Sequence, residues 1–139
     1  MKRNRKLFLL IASLLLLLLP GCSEQKSQPG SEEKKLDFTV AKKEDFPEEL
    51  TKLIEEKQER PFKLSYAAGD ALYLCVGYGE QSSGGYSITV DKLTFHDDTI
   101  HFATTLVGPK KDEDIDPAHT YPYIVIKTQF MDNAILFEP

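Results

Sequence analysis

The sequence predicts an α+β domain, with one amphipathic helix packed on a mostly antiparallel sheet of five or six strands. Three observations carry that expectation. A single early stretch repeats its apolar residues at helical spacing, every apolar run after Pro61 alternates with a period of two, and Gly- and Asp-rich pairs punctuate those runs.

Ahead of the domain, "MKRNRKLFLLIASLLLLLLPGC" sets Lys2, Arg3, Arg5 and Lys6 before an apolar run over residues 7–19. Basic residues followed by such a run read as an export signal. A spanning helix wants roughly 20 apolar residues, and Pro20 and Gly21 stop this run short. The "LPGC" that follows looks like a bacterial lipobox, which makes residues 1–21 a lipoprotein signal peptide and Cys22 the lipidation site. Two or more acyl chains, palmitate among them, give stable anchoring where one short chain does not. The expected location is therefore the extracytoplasmic face of a bacterial membrane, held there by a lipid anchor.

Removing residues 1–21 takes four basic and no acidic side chains from 17 Lys+Arg and 22 Asp+Glu, leaving 13 against 22 and a formal charge near −9. A chain so acidic is no partner for nucleic acid, whose phosphates need Lys and Arg. With Cys22 acylated, Cys75 is the sole thiol, so no intramolecular disulfide can form.

Residues 22–35 form the expected tether: "SEQKSQPGSEEKK" holds no large apolar side chain, and Pro29-Gly30 interrupts any helix. Residues 36–139 are enough for one small core. Asp45, Pro47 and Glu48 are helix-start residues. Phe46, Leu50, Leu53 and Ile54 follow at one-face spacing, so the helix is expected over residues 46–58, ending before Arg60-Pro61. Its other face is charged and solvated.

The strands come next. Phe62, Leu64 and Tyr66 alternate, as do Leu72, Leu74, Val76 and Tyr78, then Tyr86, Ile88 and Val90, then Ile100, Phe102, Thr104 and Leu106. Tyr123 and Val125, and the closing "AILF" of residues 134–137, complete the set. Gly69-Asp70, Gly84-Gly85, Asp97-Asp98 and Asp132-Asn133 separate the runs as turns.

Within this frame, "GYGEQSSGGYSITV" raises the question of a phosphate loop. Such a loop needs a helix after its glycines, and a Walker loop adds a lysine. Here a strand follows and no lysine does, so the expectation is a hairpin whose loop spans residues 79–85. Asp112, Asp114 and Asp116 alternate like calcium ligands, but Pro117 and Tyr123 occupy the positions of the required Gly and Glu, which leaves a solvated acidic loop. His96 and His101 flank the "DDT" turn and could face each other, yet no third ligand accompanies them, and no metal or other cofactor is expected. Cys75 sits inside an apolar strand without any cysteine-protease signature and reads as a buried, inert thiol.

The combination "YLCVGYGEQSSGGYSITVDKL", "TTLVGP" and "TYPYIVIK" resembles the carboxy-terminal domain of the PrcB family of protease-complex subunits. The matching positions are Gly85-Tyr86 with Ile88 and Val90, Gly108-Pro109, and residues 120–123 with Val125 and Ile126. The resemblance makes residues 36–139 a PrcB-like domain and implies a small lipoprotein that associates with a secreted or surface protease. It carries over no catalytic residue. The expectation is a non-enzymatic binding or stabilising subunit whose partner is an envelope or secreted protein. Its partner-binding candidates are Tyr78, Ser83, Gly84, Gly85, Tyr86, Thr120, Tyr121, Pro122 and Tyr123. The alternatives are a small-ligand or metal-binding lipoprotein, or an enzyme using Cys75.

Overall fold

The computed structural model describes residues 32–139. The signal peptide, Cys22 and most of the tether therefore lie outside the described residues. Among the described residues there are eight strands: β1 Lys34–Lys35, β2 Thr39–Val40, β3 Pro61–Ala68, β4 Ala71–Tyr78, β5 Ser87–His96, β6 Thr99–Val107, β7 Tyr123–Gln129 and β8 Ala134–Phe137. One α-helix among the described residues, α1, spans Glu48–Lys57 after a short 3₁₀ turn. None of the described helices is long and apolar enough to cross a membrane.

The strands form two four-stranded sheets, in the orders β1-β5-β6-β8 and β2-β7-β4-β3. This corrects the expected single sheet of five or six strands. Six of the eight strands lie where the alternation places them, while β1 and β2 are two residues each, too short to show a period. Pairing begins inside the expected tether, at Lys34 and Lys35, which lie against Phe95 and Thr94. All neighbours are antiparallel except β6 and β8, which run parallel.

The core between the sheets joins Leu72, Leu74 and Val76 of β4 and Ile124 and Ile126 of β7 to Leu93, Ile100 and Phe102 of β5 and β6. A second cluster lies on the far face of the β4–β7 pair, where Leu50 and Ile54 of α1 cover Ala71, Tyr73, Cys75 and Val125. Burying each such aliphatic side chain is worth about 1.5–3 kcal/mol. Because β4 is covered on both faces, nearly every one of its residues is buried. In β5 the register slips between Val90 and Lys92. The bulge inserts Asp91, so that Ile88 and Val90 before it and Leu93 and Phe95 after it all pack against the same core.

Two local expectations are also corrected. The helix starts at Glu48, not Phe46, and its N-cap, Pro47, provides no side-chain cap. Phe46 precedes a proline and is held extended (φ −78°, ψ 141°), outside the helical region. The loop of residues 79–85 closes no hairpin: β4 pairs with β3 and β7, β5 with β1 and β6, and the loop carries the chain from one sheet to the other. Its glycines do take the expected left-handed backbone, at Gly79 (φ 72°) and Gly85 (φ 81°), because a crossover that reverses direction tightly needs it as much as a hairpin does. True hairpins turn at Gly69-Asp70 and at Asp97-Asp98, both of the latter with positive φ.

Candidate functional site

The two stretches singled out by sequence meet at one end of the sandwich. Past the last β4–β7 pair, Gly77 with Tyr123, the Tyr78 N–H donates to the Pro122 carbonyl at 3.0 Å. Gln81 and Thr120 then exchange N–H···O bonds of 2.8 and 3.0 Å. The Thr120 hydroxyl donates to the Ser83 carbonyl at 2.7 Å, and the Gly84 N–H donates to the Asp116 carbonyl at 2.8 Å. Together these bonds clasp the glycine loop to the long connection of residues 108–122.

Gly85 leaves no room for a side chain against the long connection. A Cβ built on it would lie 2.8 Å from the Pro109 side chain and 2.9 Å from that of Ile115. At Gly84 the nearest neighbour would be 3.6 Å away, an ordinary contact.

The candidates divide by where their side chains go. The Tyr78 hydroxyl shares a 2.8 Å hydrogen bond with the Thr104 hydroxyl and so ties the two sheets together. Tyr123 packs toward α1, its ring 6.5 Å from that of Phe46. Ser83, Gly84, Thr120 and Pro122 serve the clasp through their backbone or, for Thr120, its hydroxyl. Tyr86 is half-buried, its ring edge facing Gly108. Tyr121 is the tyrosine whose polar tip joins a surface group: its hydroxyl donates to Glu80 Oε2 at 3.3 Å, while His119 Nδ1 lies 2.6 Å from Glu80 Oε1. The Glu80 charge, followed by burial, pushes the Tyr121 phenol above its ordinary range.

Glu80 and Ile115 went unnoticed in the sequence. Ile115 is 37% exposed, the single large apolar side chain within "KKDEDIDPAH", and that isolation was its one signal. Around it the acidic loop is bound up locally: Glu113 accepts the Lys110 N–H and Asp116 the Ala118 N–H. The aspartates do not converge as a calcium loop would, and no group of three His, Cys, Asp or Glu among the described residues could hold a metal.

The histidine pair faces away from this end, on the outer side of the β5–β6 hairpin. The His96 and His101 rings stack at 3.8 Å and 12°. In-plane lone pairs of parallel stacked rings point along parallel planes and cannot meet at one ion. Each Nδ1 turns to a carboxylate instead, His101 donating to Glu138 at 2.9 Å and His96 lying 3.4 Å from Asp97. Cys75 is fully buried beneath α1, and burial pushes its thiol up to about 12. A thiol so placed forms almost no thiolate at neutral pH and is unsuited to nucleophilic attack.

A family model described as PrcB C-terminal matches residues 72–129. This segment is a PrcB C-terminal domain. No curated protein and no solved structure matches the chain. The PrcB segment runs from Leu72 in β4 to Gln129 at the end of β7, and so comprises the four inner strands of the two sheets with both clasped loops. The edge strands β1, β2, β3 and β8, and α1, are added from outside it.

Proposed function

We propose that the chain is a lipid-anchored extracytoplasmic subunit that binds and stabilises a protease complex and is not itself an enzyme. The PrcB C-terminal match carries the reading, since PrcB proteins are protease-complex subunits and the match takes in the whole clasped end. Its exposed groups suit protein recognition: Tyr121, His119 and Glu80 supply hydrogen-bonding capacity, and Ile115 an apolar contact inside an acidic rim. A partner surface facing this end would carry basic residues around an apolar hollow. Cys22 is the proposed acylation site. The tether that follows it keeps the domain within reach of an envelope or secreted protease.

Affinity purification from the native membrane after crosslinking tests the reading. A protease or its complex should be recovered with the intact chain, with recovery reduced by Tyr121→Ala together with Ile115→Asp. A protein that comes out reproducibly alone defeats the proposal. Labelled fatty acid should appear on the native chain and be missing from Cys22→Ala; equal labelling of both removes the anchor.

A further inference from the structure

Residues 34–43, "KKLDFTVAKK", run from the edge of one sheet to the edge of the other. β1 pairs with β5, and the Leu36 N–H donates to the Leu93 carbonyl at 3.0 Å. β2 pairs with β7, and the Thr128 hydroxyl donates to the Asp37 carbonyl at 2.7 Å. Leu36 packs against the core between the sheets and Ala41 against the cluster under α1. The stretch is therefore fixed to the domain, and a surface that holds it orients the whole. Phe38 and Val40 are left 39% and 59% exposed, and the exposed Lys34, Lys35, Lys42 and Lys43 bracket them. The stretch carries four Lys against one Asp, while the other described residues carry eight Lys+Arg against twenty Asp+Glu. Lys43 pairs with Glu55, and the neighbouring Glu33 is turned to Lys92 and Thr94. The remaining ammoniums, on four-carbon stems, reach beyond the shorter carboxylates of Glu32, Asp37, Glu44 and Asp45.

We propose that residues 34–43 dock on the anionic headgroup surface of the membrane that holds the anchor, with Phe38 and Val40 at the acyl boundary and the lysines among the headgroups. The inference rests on the reading of Cys22 as the acylation site and adds an orientation to it. Lys34 lies twelve positions after Cys22, a reach of at most about 43 Å. This stretch is thus the part of the described domain nearest the anchor along the chain. An exposed apolar pair alone would suit many partners. Lysines around it, beside the anchored end of an otherwise acidic chain, select an anionic lipid surface, which repels the rest of the domain. Val40 and Thr39 lie against Ile126 and Lys127, three and four residues along β7 from Tyr123 at the clasp. Phe38 lines a shallow cavity with Asp70 and Gln129, at the other end of the β4–β7 pair. Docking here leaves Tyr121 and Ile115 of the clasped end free to meet a partner.

The chain holds no tryptophan, so Phe38→Trp gives the full chain, purified from the membrane, a single fluorescent reporter. It is reconstituted into phosphatidylcholine vesicles with and without phosphatidylglycerol, the acyl chains either brominated or plain. Bromine should quench Phe38→Trp at least twofold in the anionic vesicles, and Val40→Trp likewise. Val107→Trp, next to Gly108 at the clasped end, should keep its emission. Changing Lys34, Lys35, Lys42 and Lys43 together to Gln should remove the quenching while the anchor still holds the chain on the vesicles. Equal quenching at residues 38 and 107, or quenching that needs no phosphatidylglycerol, overturns the docking. An anchored chain quenched at neither place overturns it too and leaves the acylation reading standing. A chain that carries no fatty acid and washes off the vesicles overturns both. Phe38→Trp emission that shifts to the blue only in the presence of a crosslinked partner assigns this surface to protein and also overturns the docking.

Discussion

Replacing Gly85 by alanine tests whether the clasp is held by backbone conformation or merely tolerates small residues. Gly85 has φ 81°, a region where an L side chain costs about 1–2 kcal/mol. The new Cβ would also stand 2.8 and 2.9 Å from Pro109 and Ile115, closer than carbon atoms pack. The strain and the displaced loop together should cost about 2 kcal/mol, which favours the open clasp about thirtyfold. The reporter is the Gly84 amide, bonded to the Asp116 carbonyl at 2.8 Å, whose hydrogen exchange should accelerate by that factor. The adjacent substitution supplies the contrast. Gly84 is not among the positive-φ residues, and its Cβ would meet nothing nearer than 3.6 Å. Gly84→Ala should therefore be neutral or gain about 0.4–1 kcal/mol by restricting the unfolded chain. Equal losses for the two variants, in urea unfolding and in exchange, would refute the assignment of the strain to Gly85.

Leu50→Ala should cost about 2–5 kcal/mol in urea unfolding, because the side chain is 0% exposed between α1 and β4; a loss below 1 kcal/mol means the helix is not docked as described. Cys75, its thiol pushed from the usual 9.0 to about 12, should react with a neutral-pH thiol reagent about a thousandfold more slowly than in the urea-unfolded chain, and rapid labelling of the folded protein contradicts its burial. Lys92 joins the two ends of the described chain, its ammonium 3.2 Å from Glu33 and 3.3 Å from Glu138. Glu138 is held below 4.5 by the hydrogen bonds from His101 and then Lys92, and Glu33 by those from Thr94 and then Lys92. A depressed carboxylate stabilises the fold above its unfolded value and loses that contribution as pH falls through its folded one. The urea midpoint should thus decline below pH 4.5, and less steeply in Lys92→Met; identical acid profiles would show the network to be idle.

Much of the fold is legible in the chain because burial on one face writes itself locally. Six strands, the hairpin turns at Gly69-Asp70 and Asp97-Asp98, and one helical face follow from neighbours a few residues apart. The acidic balance and the glycine loop's lack of a following helix likewise argue against a phosphate role from the chain alone. Tertiary structure alone decided what covers each face. Alternation along Leu72, Leu74 and Val76 is the same under a helix or a second sheet, and the expected single sheet became two for that reason. Positive φ at Gly85 serves a crossover as well as a hairpin, so the clasp with residues 115–122 came only from long-range hydrogen bonds. Glu80, His119 and Tyr121 meet through contacts up to 41 residues apart. Local sequence records which residues want burial; the partner that buries them is a property of the folded whole.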